Sequence, residues 1–157
     1  MTYHIRKIEK RDDLQVESII RGCLIEFGGN RPGTAWEDPD LHRFSEIYNG
    51  EGKCYWVAED AQGKILGGVG IGGLTEDICE LQKMYCLPEA RGIGLSHALM
   101  RIALEYARKY YKQCYLETLE SMTAAHKFYE KWGFHRVYEP VVKTAHYSCE
   151  FLYLLDL

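Results

Sequence analysis

Apolar residues recur along the chain with two spacings, and the switches between them mark the elements. Tyr3 to Lys7 alternates as a short first strand. From Asp12 to Phe27 the residues Leu14, Ile19, Ile20, Cys23, Leu24 and Phe27 return at helical spacing and define one face. Gly28-Gly29-Asn30-Arg31-Pro32-Gly33 interrupts this with turn chemistry, and a second helix is expected from Asp38 to Tyr48. Strands follow at Cys54 to Glu59, Lys64 to Leu74 and Ile78 to Leu87, separated by Ala61-Gln62-Gly63 and Thr75-Glu76-Asp77, so they read as an antiparallel meander. The period is helical again from Ile93 to Tyr111. There Leu95, Leu99, Ile102, Ala103, Tyr106 and Tyr110 share a face opposite Arg101, Glu105, Arg108 and Lys112. A strand from Cys114 to Leu119 precedes a helix from Thr123 to Trp132, closed by Gly133 as a left-handed cap. Strands at His135 to Glu139 and Ser148 to Leu157 end the chain. The order predicts an α+β fold: a mixed, mostly antiparallel central sheet of about seven strands flanked by about four helices.

Composition narrows this picture. The chain has 157 residues, 46% of them apolar, with no internal repeat or Pro/Ser-rich linker, which predicts one domain over residues 1–157. Against 19 Lys and Arg stand 23 Asp and Glu, a net charge of −4, so a basic stripe for a phosphate backbone is missing and no nucleic-acid partner is expected. A cationic substrate fits this balance. The start has no apolar run of the signal-peptide kind and no stretch approaches a bilayer span, so a cytoplasmic protein with no membrane partner is expected. Six scattered cysteines lack C-x-x-C spacing and are read as reduced core residues. His146 and Cys149 form an isolated H-x-x-C without further ligands, so no metal is expected, and His146 is instead a candidate for the border of an acceptor pocket.

Two glycine-rich segments invite a ligand. Gly68-Val69-Gly70-Ile71-Gly72-Gly73 matches G-x-G-x-x-G by letter, but a strand rather than a helix follows, so a dinucleotide site is rejected. Its bare backbone marks close approach of another group. Pro88-Glu89-Ala90-Arg91-Gly92-Ile93-Gly94-Leu95-Ser96 has the right context, because a strand ends before it and a helix opens within it. Free N–H groups from Gly92 to Ser96, the helix dipole and the Arg91 cation suit a phosphate. An ordinary glycine-rich helix entry is the alternative. No Gly-Lys-Ser/Thr follows, so it is not a P-loop.

The segment Arg91-Gly92-Ile93-Gly94-Leu95-Ser96 resembles the Q/R-x-x-G-x-G/A signature of the GNAT superfamily of acyl-CoA-dependent N-acetyltransferases, with Ser96 in place of the usual Gly or Ala. Glu80 to Pro88 resembles that family's splayed central strand, and Ala125-x-x-Phe128-Tyr129-Glu130-Lys131-Trp132-Gly133-Phe134 resembles its later helix. The element order extends the resemblance to the whole chain. It implies acetyl-CoA as co-substrate, its pyrophosphate on Arg91, Gly92, Ile93, Gly94, Leu95 and Ser96, and its pantetheine arm on backbone at Met84, Tyr85 and Cys86. Met122 departs from the Asn that many members carry near the cofactor.

Acetyl transfer to an amine needs a held thioester, a neutral amine, an oxyanion donor and a proton for the thiolate. The resemblance implies that a backbone N–H in the strand at Met84 to Cys86 faces the thioester carbonyl oxygen and supplies the donor. Glu80 stands where some family members carry a catalytic glutamate; base, substrate anchor and solvated strand residue are its readings, and Glu117 is a second carboxylate for either role. Tyr129 matches the family's catalytic tyrosine, and a phenol near pKa 10 can protonate a thiolate whose acid has pKa near 8.5; a packed core aromatic is the alternative. A nucleophile elbow is absent at Gly94-Leu95-Ser96-His97-Ala98, and Cys86 reads as a strand residue rather than an acyl carrier.

Resemblance places the acceptor between Phe27 and Trp36 and between Pro140 and Ser148, with Phe27, Arg31, Trp36, Tyr138 and Tyr147 as candidate lining. The expected activity is acetyl transfer to a primary amine of a small molecule by direct attack. A protein N-terminal or lysine acetyltransferase and a non-catalytic acyl-CoA sensor are the alternatives. A homodimer is compatible with the pattern but not required by it.

Overall fold

In the computed structural model, which describes residues 2–143 and 146–157, seven strands form one sheet in the order β1-β2-β3-β4-β5-β7-β6. The strands are β1 (Tyr3–Lys7), β2 (Cys54–Asp60), β3 (Ile65–Gly73), β4 (Ile78–Cys86), β5 (Gln113–Thr118), β6 (His135–Val137) and β7 (Phe151–Asp156). Only β4 and β5 run parallel. The α-helices are α1 (Asp13–Glu26), α2 (Phe44–Ile47), α3 (Leu95–Ala107) and α4 (Thr123–Lys131). This is the expected α+β architecture.

Alternation in β2 divides the core between the two faces of the sheet. Cys54, Trp56 and Ala58 pack with Leu95, Leu99, Met100, Ala103 and Leu104 of α3. Tyr55 and Val57 pack with Val16, Ile19, Ile20, Cys23 and Leu24 of α1 and with Phe44 of α2.

The elements differ from expectation mainly at their ends. The helix expected from Asp38 to Tyr48 shrinks to Phe44–Ile47, preceded by a 3-10 turn at Ala35–Glu37. Pro39 disfavours helical backbone in the residue before it, and Asp38 is accordingly extended with φ −64° and ψ 125°. Helix α3 begins at Leu95 rather than Ile93 because Gly94 has φ +83°, outside the helical region. It ends at Ala107; Tyr111 turns away and its hydroxyl donates to Gly52 O at 2.7 Å. Leu14, expected on the buried face of α1, is 74% exposed. The last strand starts at Phe151 instead of Ser148, whose N–H donates to Gly33 O at 2.9 Å. All six cysteines are free, and five are buried. No described helix is long and apolar enough to cross a membrane.

Candidate active site

Strands β4 and β5 pair only through Ile78, Cys79 and Glu80, and beyond Glu80 they separate. The sequence builds this opening in steps that begin at the glycines of β3. A Cβ on Gly68 would lie 2.6 Å from the Tyr55 ring, and one on Gly70 would lie 2.8 Å from Tyr55 and 3.0 Å from Tyr48. The bare strand face therefore admits two tyrosine rings, which is the close approach that the glycines signal. These tyrosines then hold β4. The Tyr55 hydroxyl donates to Lys83 O at 2.7 Å, and the Tyr48 hydroxyl donates to Gln82 Oε1 at 2.6 Å.

Between Gln82 and Tyr85 the pairing of β4 with β3 shifts by one residue, a bulge. Lys83 within it has φ +49°, the one non-glycine positive φ among the described residues. The bulge bends β4 away from β5. Because the Leu87 N–H donates to Leu66 O on β3, alternation turns the polar backbone of Cys86 to the opposite side, into the opening.

Two cavities meet there. The larger, about 360 Å³, is lined by Cys23, Phe27, Met84, Tyr85, Cys86, Arg91, Ser96 and the first turn of α4, among others. The smaller, about 60 Å³, is lined by residues that include Glu80, Gln82, Lys83, Glu117, His146 and Cys149. Met84, Tyr85, Met122 and Tyr129 line both. Of the residues assigned to the cofactor from sequence, Met84, Tyr85, Cys86, Arg91 and Ser96 line the larger cavity. Gly92, Ile93 and Gly94 form the exposed loop between Arg91 and α3, and Leu95 is buried in the core.

Both loop glycines have positive φ, +78° at Gly92 and +83° at Gly94, and a Cβ on either would meet nothing within 4 Å. Their backbone N–H groups and that of Ile93 find no acceptor among the described residues. Open space in front of unsatisfied donors at a helix start fits an anion. Arg91 is differently disposed from the sequence expectation of a cation facing the phosphate. Its guanidinium forks onto Glu26 at 2.7 and 2.9 Å, donates to Cys86 O at 3.1 Å and lies over the Phe27 ring. Here its charge is paired with Glu26.

Glu80 and Tyr129 both line the smaller cavity. Burial lifts the Glu80 carboxyl above its ordinary value although Gln82 Nε2 donates to it at 2.7 Å. Tyr129 is 9% exposed, its hydroxyl makes no hydrogen bond among the described residues, and burial raises its pKa, so it holds its proton at neutral pH. The Glu117 side chain is 4% exposed and accepts from the Tyr115 hydroxyl at 2.9 Å. Burial pushes the Cys86 thiol up to about 11, which leaves it a poor nucleophile.

The acceptor lining differs from expectation. His146 lines the smaller cavity, but Phe27, Arg31, Trp36, Tyr138 and Tyr147 do not. Phe27 belongs to the larger cavity, Trp36 lies under Arg21, and Tyr138 and Tyr147 are 81% and 73% exposed. Sequence reasoning missed Asp38, Gln82 and Lys83. The Lys83 Nζ pairs with Asp38 at 2.8 Å, and His146 Nε2 lies 2.8 Å from the same carboxylate.

A splayed parallel strand pair beside a glycine loop at a helix start, with a second cavity through the gap, is the arrangement that the resemblance to acyl-CoA-dependent acyltransferases implies. Residues 17–134 match the Acetyltransferase (GNAT) family, and the chain belongs to that family. It is 38% identical over 158 residues to the uncharacterized N-acetyltransferase YjgM of Escherichia coli K12, covering 98% of this chain and 94% of the relative. An 88-residue stretch is 41% identical to the N-acetylaspartate synthetase of Xenopus tropicalis, covering 55% of this chain and 32% of that one. The fold is that of a GNAT acetyltransferase from Staphylococcus aureus Mu50, with a TM-score of 0.89, 18% identity and 99% of both chains covered. A PaiA N-acetyltransferase from Thermoplasma acidophilum, solved in complex with coenzyme A, superposes with a TM-score of 0.75 at 16% identity over 100% of both chains. The chain is thus an acetyl-CoA-dependent N-acetyltransferase.

Proposed function

We propose that the protein acetylates the primary amine of a small molecule by direct attack, with the larger cavity holding the acyl donor and the smaller one the acceptor. The carrying observation is that the two cavities share Met84, Tyr85, Met122 and Tyr129 as walls, so donor and acceptor groups would meet at that junction. When bound, acetyl-CoA supplies an acetyl thioester. Gly92, Ile93, Gly94, Leu95 and Ser96 hold its pyrophosphate through backbone N–H groups, while backbone at Met84 to Cys86 orients the pantetheine arm and polarises the thioester carbonyl.

Glu80 takes the proton of the entering ammonium, directly or through water. Its raised pKa makes it a stronger base than an exposed carboxylate. Tyr129 gives its proton to the departing sulfur as the new N–C bond forms and the C–S bond breaks, and the second proton that the nitrogen sheds on becoming an amide returns to the Tyr129 oxygen. Cys86 does not carry the acetyl group. The acceptor side is small, about 60 Å³, and that size favours a small amine over a peptide.

Incubation with acetyl-CoA and a panel of small amines, amino acids, polyamines and peptides, followed by free thiol release, tests this reading. Turnover is expected with a small primary amine. Turnover restricted to peptides would overturn it.

A further inference from the structure

Beside the smaller cavity, outside its lining, stands a carboxylate that the transfer reaction does not use. Asp38, in the loop before α2, is gripped from two other parts of the chain. Lys83 Nζ of the β4 bulge lies 2.8 Å from its Oδ2, and His146 Nε2 lies 2.8 Å from Oδ1 and 3.1 Å from Oδ2. Lys83 is only 12% exposed at its side chain, and the Asp38 side chain is 23% exposed. Lys83 and His146 line the smaller cavity, whereas Asp38 is not part of the lining. Two potential carboxylate partners at the acceptor site are therefore already engaged by a carboxylate of the chain itself.

The remaining charges point the same way. Glu80 and Glu117 line the cavity, and His146 Nδ1 is 3.9 Å from Glu117 Oε1. Arg31 is exposed and lies outside the lining. An acceptor carboxylate entering here would share Lys83 with Asp38 in the company of two further carboxylates, and like charges brought together out of water repel strongly. An ammonium meets the opposite situation.

We propose that Asp38 is a specificity-determining residue: by occupying Lys83 and His146 it turns the site against amines that carry a carboxylate beside the nitrogen, so the acceptor class is a small amine without a carboxylate. This rests on the small-amine reading above and narrows it. Asp38 acts through Lys83 and His146 rather than on the reacting atoms.

The test uses matched pairs differing by one carboxylate, each an α-amino acid and its decarboxylated amine, such as phenylalanine with phenethylamine and tyrosine with tyramine. Thiol release from acetyl-CoA is followed for both members. In the wild type kcat/KM should favour the amine by about tenfold or more. Asp38→Asn keeps the shape and one acceptor oxygen but removes the charge, and should narrow that ratio by about tenfold. Adding Lys83→Met should restore the amine preference. A ratio of two substrates on one preparation is independent of the fraction folded. Preference for the amino acid in the wild type, or an unchanged ratio in Asp38→Asn, overturns the proposal. Acetylation of peptides with no turnover of either member of any pair overturns the small-amine reading itself and this inference with it.

Discussion

Glu80 and Tyr129 reach the smaller cavity from different elements, and burial acts on both in the same direction, holding their protons more tightly than water would. For the proposed base this sets the pH dependence. Glu80 works ionised, so kcat/KM should rise with pH along a limb lying above the ordinary carboxylate range; in Glu80→Gln that limb should vanish and kcat should fall by about 10²-fold. A limb that survives in Glu80→Gln assigns the base elsewhere, with Glu117 the next candidate. The same group has an opposite effect on stability. A carboxyl whose pKa is raised by folding contributes stability that is present below its unfolded pKa and lost as pH rises through the folded value. Glu80→Gln should therefore raise Tm relative to wild type more at pH 7.5 than at pH 4, measured by thermal melts at the two values. That both stand beside the opening is legible from sequence, because the resemblance covers the strand and the helix that carry them. Lys83 and Asp38 are not: Lys83 acquires its role from a bulge, and Asp38 meets His146 across 108 residues.

At the level of elements, glycine does two different jobs. In β3 it makes room: a Cβ on Gly67 would lie 2.7 Å from Tyr85 O, against backbone that cannot step aside. Gly67→Ala should cost about 1–3 kcal/mol in a denaturant melt and disturb β4 beside the opening. In the loop before α3 glycine supplies conformation, since a Cβ on Gly94 meets only open space and the cost of φ +83° is about 1 kcal/mol. Gly94→Ala should thus lose little more than that. Gly94→Glu should match it in stability yet weaken coenzyme A binding severely by calorimetry, because its carboxylate would face the pyrophosphate. Retained affinity in Gly94→Glu would remove the loop from the cofactor site. The loop and the succession of elements are legible in the chain because they depend on local periodicity and turn chemistry, whereas the insertion of β7 between β5 and β6 is a long-range pairing that local pattern does not set. Helix α2 was not, since an apolar spacing from Asp38 to Tyr48 mimics a helix while Pro39 holds Asp38 extended and residues 39–42 form turns.

Across the whole molecule the sheet must hold its first edge strand, and a buried ion network does this. Arg6 of β1 forks onto Asp12 at 2.7 and 2.9 Å and donates to Glu59 of β2 at 2.7 Å. Burial alone would raise the Asp12 carboxyl, but the Arg6 hydrogen bonds and the Glu9 N–H bring it below its ordinary value. Its contribution is present above the unfolded pKa and lost as pH falls through the lower folded value. Arg6→Met, which strands a carboxylate that is 2% exposed, should cost about 3 kcal/mol near pH 7 and less at pH 3, by urea titration at both. The network lies far along the sheet from the β4–β5 opening, so activity per folded molecule should be unchanged. That opening carries the central claim, namely that transfer takes place where the two cavities share Tyr129. The most direct measurement compares Tyr129→Phe with wild type on one good acceptor, recording kcat by thiol release and coenzyme A affinity by calorimetry. A loss of about 10²-fold or more in kcat with affinity unchanged is predicted; a full rate in Tyr129→Phe would contradict the account.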